Sequence, residues 1–489
     1  MLARTSGILG FILLALLWWA ALWFALPIGV DLFQLSPGAL LMWHGAPPLT
    51  AAALWWVSRR VWARRTDRRK KAAEETRKEE QEKTREAARQ AHQQKLAQRC
   101  ACVECRAVWV AVPDIPEWYK GFPACVLLQQ DAEQVRGAGR ETALSASLEQ
   151  VFREALQQYE ALAGLPLYIA SGDCRPEQVA EAWQRALAVA RNDIASEPSR
   201  PDCGLLPGEG DIVSRVLDLF ERDPALPAFI LLGMDSPLGD APEDDDFAVV
   251  RQARQQGPRP GHAVAAMLLS RPGLNVLSAG ETAPDGDEGD PNMQPYWERH
   301  RDEPGKFQWR VPLPADFWAL MPLATLHRLR RTSRAGAMTR RIGEALEDAQ
   351  IDAGLRDWPF RDKEFVEDGA PVKNEEPGEN EVPSPSDEAG LLDLGWLVHN
   401  AGDVKEVETA SRLVSITGVL RDFGREIDPL TEAGNVVSEH GDTGAARDML
   451  MLAEALIRAA RLRKPALTVM FGDDGNVSLG FARPVGGQA

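Results

Sequence analysis

Asn435–Leu462 reads NVVSEHGDTGAARDMLMLAEALIRAARL. It places a histidine in a turn, then a Gly-Asp-Thr-Gly step, then a long apolar-periodic run. Two readings compete. As a helix start, Asp442 or Thr443 caps the first turn. Met449, Leu452, Leu456 and Ala460 then recur at spacings of three and four, one apolar face of a helix. Arg458, Arg461, Arg463 and Lys464 suit the negative end of that helix, and Pro465 cannot continue it. As a catalytic corner, His440 would work on a substrate and would need a nucleophile from elsewhere in the chain.

The chain around this stretch has 489 residues, a formal net charge of −17 and 45% apolar residues. That length admits one large α/β body or several smaller domains. The acidic balance argues against a nucleic-acid binder, which needs cations to displace phosphate counterions. Six cysteines in 489 residues form no disulfide framework and fit a reducing compartment.

The N-terminus carries a different signal. Gly7–Pro27, GILGFILLALLWWAALWFALP, has no charge over 21 residues, enough for a bilayer span. Pro37–Val57 is a second apolar segment, interrupted by His44, Pro47 and Pro48. Trp18, Trp19, Trp23, Trp55 and Trp56 suit the membrane–water interface. Between Arg59 and Lys71 there are eight basic residues and one acid, Asp67, a cluster that stays cytoplasmic and contacts anionic lipid headgroups. The expectation is a two-span hairpin over residues 1–58, with both ends and the main body in the cytoplasm. Residues 59–99 follow as a basic juxtamembrane segment and a helical stalk. Ala72–Gln98 has neither Gly nor Pro, and pairs Glu74–Lys78 and Glu79–Lys83 at i,i+4.

Beyond the stalk, strands and helices alternate. Arg106–Pro113, Pro123–Gln129, Leu165–Ala170 and Ala228–Gly233 read as strands. Ala143–Ala163, Pro176–Arg191, Ile212–Arg222 and Ala335–Asp352 read as helices. Asp474–Gly475 between two apolar runs signals a hairpin. Alternation of this kind gives layered α/β architecture. Residues 362–390 are acidic and proline-rich and are expected to be disordered. Residues 100–361 and 391–489 then form the N-terminal and C-terminal parts of one body. No short internal repeat is visible.

Candidate chemistry is sparse. Cys100, Cys102 and Cys105 lie close enough to hold zinc, yet no fourth ligand is recognisable, and no metal or cofactor is expected. Gly239–Asp246, GDAPEDDD, lacks the alternating ligands of a calcium loop. GLLPGEGD lacks the Lys-Ser/Thr of a phosphate loop. The arginine-rich Arg328–Arg341 is either a surface for an acidic partner or headgroups, or a solvated helix start.

In chain order, several segments resemble the thiolase-like condensing enzymes, the ketoacyl synthases in particular. RPGHAVAAMLLS is similar to that family's Gly-Glu-Gly-Ala strand, and GEALEDAQID to its Ala-Leu-x-Asp-Ala helix. LVHNAGDVKEVE resembles the His-Gly-Thr-Gly-Thr segment, and SEHGDTGAARDML the Gly-His-x-x-Ala-Ala turn. The resemblance runs from about Cys105 to the C-terminus and implies a five-layer αβαβα fold. It also implies a cysteine thiolate at a helix N-terminus, where the dipole lowers its pKa, faced by two histidines. The chain departs from that pattern. GEGDIVSR opens the relevant helix without a cysteine, and Cys203 precedes Pro207 and Gly208. His399 is followed by Asn-Ala-Gly, and Asp442 stands where the family has its histidine, with His440 two residues upstream. No catalytic residue is therefore expected. The enzyme alternative is acyl transfer through Cys203 with His399 and His440.

A second resemblance covers about Asp211–Arg331. VSRVLDLFERDPALPAFILLGMD, AVAAMLLSRPGLNVL and LPADFWALMPLATLHRLRR are similar in pattern to the type VI lipase adaptor family of proteobacteria. It implies a non-catalytic adaptor at the bacterial inner membrane that brings a phospholipase effector to the secretion spike.

Overall fold

The computed structural model describes residues 36–116, 125–172, 174–191, 201–240, 258–274, 320–332, 338–358, 360, 393–402, 407–429, 431–472 and 475–485, with a few positions between 12 and 24. The acidic segment 362–390 and most of Gly7–Pro27 lie outside them. The chain divides into two compact units, Met1–Ala91 and His92–Ala489.

The first unit is dominated by α1, a helix from Pro37 to Arg99, whose last eight residues belong to the second unit. The second apolar segment and the stalk are thus one unbroken helix. Pro47 and Pro48 each remove a backbone donor, yet they do not end it, and the Thr50 hydroxyl donates to the Pro47 carbonyl at 3.0 Å. Among the described residues, no helix is long and apolar enough to cross a membrane. The interruptions by Gly45, Pro47 and Pro48 dilute the apolar run below that level.

The second unit is built on one twelve-stranded sheet. Its first half holds β1 (Cys102–Val112), β2 (Cys125–Gln129), β3 (Leu167–Ser171), β4 (Cys203–Leu205), β5 (Ala228–Asp235) and β6 (Ala263–Ser270). Between them run α2 (Ala132–Ala138), α3 (Arg140–Gln158), α4 (Pro176–Arg191) and α5 (Ile212–Arg222). The second half holds β7 (Ala324–His327), β8 (Arg330–Thr332), β9 (Trp396–His399), β10 (Ala433–Asn435), β11 (Ala466–Phe471) and β12 (Val477–Pro484). Its helices are α6 (Met338–Asp352), α7 (Val407–Asp422), α8 (Val436–His440) and α9 (Arg447–Leu462).

The strand order is β10-β9-β11-β12-β7-β1-β6-β5-β3-β4, with β2 and β8 off the path. Read outward from the antiparallel β7–β1 seam, both halves repeat one pattern. The first strand (β1, β7) pairs antiparallel with the last (β6, β12), which pairs antiparallel with β5 or β11. Two parallel strands complete each half, β3 and β4 or β9 and β10. The fold is a duplication, and its halves divide between β6 and β7. That boundary lies inside 100–361, which the sequence suggests is one part, because β7 and β8 are too short to announce a new half.

The apolar clusters define five layers. Side chains of α3 and α4 pack on one face of the first half-sheet, among them Phe152 and Trp183. Side chains of α6 and α7 pack on the far face of the second, with Leu346, Ile416 and Phe481. Between the half-sheets lies a cluster containing α5 and α9 and inward residues of both halves. Along β1, Val108, Val110 and Val112 face this central layer while Ala107, Trp109 and Ala111 face outward. Both faces are covered, so the strand reads as a continuous apolar run and not as an alternation.

The question raised by Asn435–Leu462 is answered here. Every residue of α9 from Met449 to Ala459 is buried, not one face of it. A helix sandwiched between two sheets has no solvent side, and each large apolar side chain it buries contributes about 1.5–3 kcal/mol. The helix ends at Arg463, which adopts left-handed backbone at φ 53°, two residues before Pro465. Fit in this layer is tight. A Cβ added at Gly233 on β5 would lie 2.3 Å from Met449 Cγ and 2.6 Å from its Cβ.

Gly233→Ala should therefore destabilise by about 1–3 kcal/mol through overpacking. Gly418→Ala, on a helix with nothing within 4 Å, should stabilise by about 0.5–1 kcal/mol. Urea unfolding of both variants checks the contrast, and equal effects would contradict the central placement of α9.

Candidate functional site

The turn leading into α9 is held by the first half of the fold. The Asp442 amide donates to the Arg259 carbonyl at 2.7 Å, and the Gly261 amide donates to the Asp442 carbonyl at 2.8 Å. The Arg259 guanidinium donates to the Glu439 carbonyl at 2.6 Å. Glycine is required at Gly441, whose φ is 80° and where a Cβ would lie 2.5 Å from the Arg259 carbonyl oxygen.

A single 3-10 turn, Gly444–Ala446, leads into this helix, and carboxylates of the chain itself hold that turn. Asp442 accepts from the Gly444 amide at 3.0 Å within this turn, but neither Asp442 nor Thr443 caps α9, whose N-cap is Ala446 with no side-chain hydrogen bond. Asp235, at the end of β5, accepts from the Ala445 amide at 2.7 Å. Its other oxygen accepts from Arg140 at 2.6 Å and from the Ser236 amide at 2.7 Å. Asp235 is buried, so these are charge-assisted bonds in a low-dielectric setting. The corresponding helix of the first half, α5, is capped by Asp211, which accepts from the Ser214 amide at 2.9 Å. No cysteine stands at either helix start.

Beside Asp235 lies a buried hydrogen-bonded row. His262 Nδ1 is 2.9 Å from the Ser236 hydroxyl, and its Nε2 is 2.9 Å from the Ser147 hydroxyl. Burial pushes the His262 pKa down to about 4, against the opposing pull of Asp235. All three side chains are fully enclosed, which makes the row a clamp between β5, β6 and α3 and not a reactive surface.

Of the three residues of the enzyme alternative, Cys203 lies away from the central helix α5. Cys203, on the terminal strand β4, packs against the outer cluster of the first half. The central helix α5 lies on the other face of that sheet. On β9, Val398 and Trp396 face the central layer while Leu397 faces outward. Strand alternation puts His399 on the outward side with Leu397. Its Nδ1 accepts from the Ala401 amide at 3.3 Å, and Nε2 has no hydrogen-bond partner among the described residues. His440, the last residue of α8, is also buried, and neither ring nitrogen makes a hydrogen bond among them. Burial lowers both imidazoles to about 4, so both are neutral at pH 7. The crevice lined by Val103, Ile212, Val216, Leu231, Met267 and Leu452, between α5 and α9, has no space for a water-sized molecule.

The clustered cysteines do not converge on a metal. Among the described residues, no group of three His, Cys, Asp or Glu side chains could hold one. Burial raises the Cys102 thiol to about 12 and raises Cys100 and Cys105 as well, so all three stay protonated. Cys100 donates to the Ile351 carbonyl at 3.3 Å. Of the arginine-rich stretch, Arg330 pairs with the buried Asp352, which also accepts from Arg99 at 2.8 Å. Most of the acidic run after Asp240 lies outside the described residues.

One buried acid had a visible signal, a lone charge within the apolar run MLAEALI. Glu454 is fully enclosed in α9 and accepts from Trp396 Nε1 at 3.2 Å. The Arg458 guanidinium stacks 3.5 Å over the Trp396 ring. Burial and then the like charge of Glu439 raise the Glu454 carboxyl to about 8, so it is largely protonated at neutral pH. Asp235 had only the weak signal of an Asp-Ser-Pro step ending a strand. Its partner amide lies 210 residues away.

The duplicated strand order and the five layers make the fold thiolase-like. No family model matches the sequence, and no curated protein matches it. Solved structures similar to the chain include an oxazolomycin ketosynthase domain of Streptomyces albus, at 12% identity over 79% of this chain and 76% of that one, with a TM-score of 0.38. The peroxisomal 3-ketoacyl-CoA thiolase of Saccharomyces cerevisiae, described as five-layered with two core domains of identical topology, is 12% identical over 78% and 98%, with a TM-score of 0.39. OleA of Xanthomonas campestris bound with cerulenin is 14% identical over 73% and 82%, with a TM-score of 0.34. At these identities the likeness concerns fold alone, and no residue role passes from those proteins to this one.

Two pH effects of opposite sign follow. His262, His327, His399 and His440 are each lowered to about 4. The unfolded chain then binds more protons below about 6.5, and stability is lost as pH falls from there toward 4. Glu454 is raised, so the folded chain keeps a proton the unfolded chain has released, and stability is lost as pH rises from about 5 to 8. Denaturant titrations should show maximal stability near pH 6–7. Glu454→Gln should weaken the decline between about pH 7 and 8, where its one proton contributes at most about 1.4 kcal/mol per pH unit and the raised thiols of Cys100, Cys102, Cys105 and Cys125 add their own loss. An unchanged slope would contradict the protonated state.

Asp235→Ala should cost about 2 kcal/mol or more, by leaving the Ala445 amide and the Arg140 guanidinium without this buried acceptor. Asp211→Ala, at a cap without a buried ion pair, should cost about 1 kcal/mol. Thermal unfolding separates them, and a smaller loss at Asp235 would contradict its role as the clasp of the two halves.

Proposed function

We propose that this protein is a membrane-anchored scaffold of thiolase-like fold that binds a protein partner and performs no acyl transfer. The observation that carries the reading is the state of the two central helix ends. A condensing reaction needs a thiolate ionised by a helix dipole and donors free to hold an oxyanion. Here Asp211 caps α5, and Asp235 accepts from the Ala445 amide in the turn just before α9. Asp235 is negative where a developing oxyanion would need positive charge. Cys203 packs on the outer face of the sheet, away from α5.

The partner and the place come from the sequence. The resemblance of Asp211–Arg331 to type VI lipase adaptors supports a secreted phospholipase effector, or the spike that carries it, as the bound protein. The uncharged Gly7–Pro27 and the basic run after Ser58 support anchorage in the bacterial inner membrane with the body in the cytoplasm.

Affinity purification of the detergent-solubilised full chain from its own host tests the partner. Recovery of a lipase or a spike component, stoichiometric and lost on competition with untagged chain, is the expected result. The chemistry is tested by incubation with a thiol-reactive acyl analogue and intact-mass measurement. Trapping at Cys203 that disappears in His399→Ala or His440→Ala would overturn the non-catalytic reading.

A further inference from the structure

Helix α1 is polar along its axis and not around it. From Leu54 to Trp62 it exposes Leu54, Trp55, Trp56, Val57, Val61 and Trp62, the tryptophans at 51%, 56% and 69%. With about 100° of rotation per residue, these six side chains encircle the helix. The next stretch is a ring of charge. Arg59, Arg60, Arg64, Arg65, Arg68, Arg69, Lys70 and Lys71 leave no gap wider than about 80° around the axis. Asp67 is the single acid before Glu74. The two zones interlock, since Arg59 lies 5.2 Å over the Trp55 ring and Arg60 lies 4.8 Å over the Trp56 ring. Such stacking keeps each guanidinium at the level of an aromatic ring and leaves its N–H edge free for an anionic oxygen.

A helix that lies flat on a membrane needs one apolar and one basic face. This helix has neither, since both classes encircle it. An apolar belt followed by a basic belt is the order that an end-on helix meets on leaving a bilayer: acyl boundary, then phosphate layer, then water. A nucleic acid would meet the same cations, but the chain as a whole carries −17, and a tryptophan belt adds nothing to a duplex contact.

We infer that Leu54–Lys71 is a collar that seats α1 end-on in an anionic phospholipid surface, with Trp55, Trp56 and Trp62 at the interface and the arginines on lipid phosphates. This deepens the membrane-anchored reading and rests on it, while vesicle binding, which needs no protein partner, fails or succeeds separately from partner recovery.

The test dilutes the full chain from detergent into phosphatidylcholine vesicles with or without 30% phosphatidylserine, at low and high salt. The readout is the ratio of the two partition constants, which discounts apolar insertion elsewhere in the chain. Two double variants probe opposite sides of the helix: Arg59→Gln with Lys70→Gln, and Arg64→Gln with Arg68→Gln, whose mid-directions differ by about 150°. Each should lower the anionic-to-neutral ratio about 30-fold, at roughly tenfold or less per cation, and high salt should do the same. Trp55→Ala with Trp56→Ala and Trp62→Ala should weaken binding to both vesicle types. All of these positions are exposed, and unchanged far-UV circular dichroism confirms the fold. A wild-type ratio near one overturns the collar. Loss from only one of the two charge variants overturns the end-on geometry.

Discussion

The burial of α9 between two half-sheets is the constraint on which the rest of the body depends. A helix with no solvent face must be apolar all round, and Met449–Ala459 satisfies that except at Glu454 and Arg458. Those two are accommodated at Trp396, the one by a hydrogen bond to the indole and the other by stacking on it. The strands facing the helix must then be small where it approaches, which accounts for Gly233 and Gly434. A Cβ at Gly434 would lie 1.9 Å from a Glu454 oxygen. The apolar packing gives this layer its stability, and the polar pairs fix the register in which it packs.

The same constraint bears on chemistry. In a central layer, the helix starts are the positions where backbone amides could act on a bound anion. In this chain Asp211 caps α5, and Asp235, from the opposite half of the duplication and braced by Arg140, accepts from an amide of the turn before α9. The neighbouring histidines are likewise enclosed and neutral, and His262 is held between the Ser236 and Ser147 hydroxyls.

Much of the fold was legible in the sequence. Pro176–Arg191 and Ile212–Arg222 were readable to the residue, because apolar periodicity and a capping aspartate or an initial proline mark their ends. The hairpin around Gly475 followed from its Asp-Gly turn, and β11 and β12 pair antiparallel across it. The layered thiolase-like arrangement followed from the order of several segments. The duplication was not legible, because β7, β9 and β10 have only three or four residues and the halves share topology without sharing motifs. The burial of α9 on every side was hidden too, since Glu454 and Arg458 within it look like a solvent face. The site was less legible than the fold. Cys203 packs on the outer face of the first half and not toward α5, as sheet face decides and spacing does not. Asp235 and His262 act through contacts more than a hundred residues distant, to which local pattern is blind.

Amide hydrogen exchange read on peptides covering Met449–Ala459 is the most direct measure of this arrangement. If α9 is enclosed by both half-sheets, its amides exchange only through global unfolding, at the same free energy as β5 and β11 and far more slowly than α7 on the outside. Exchange of α9 at the rate of α7, with β5 and β11 still protected, would mean that the helix opens on its own and that the two halves are not built around it.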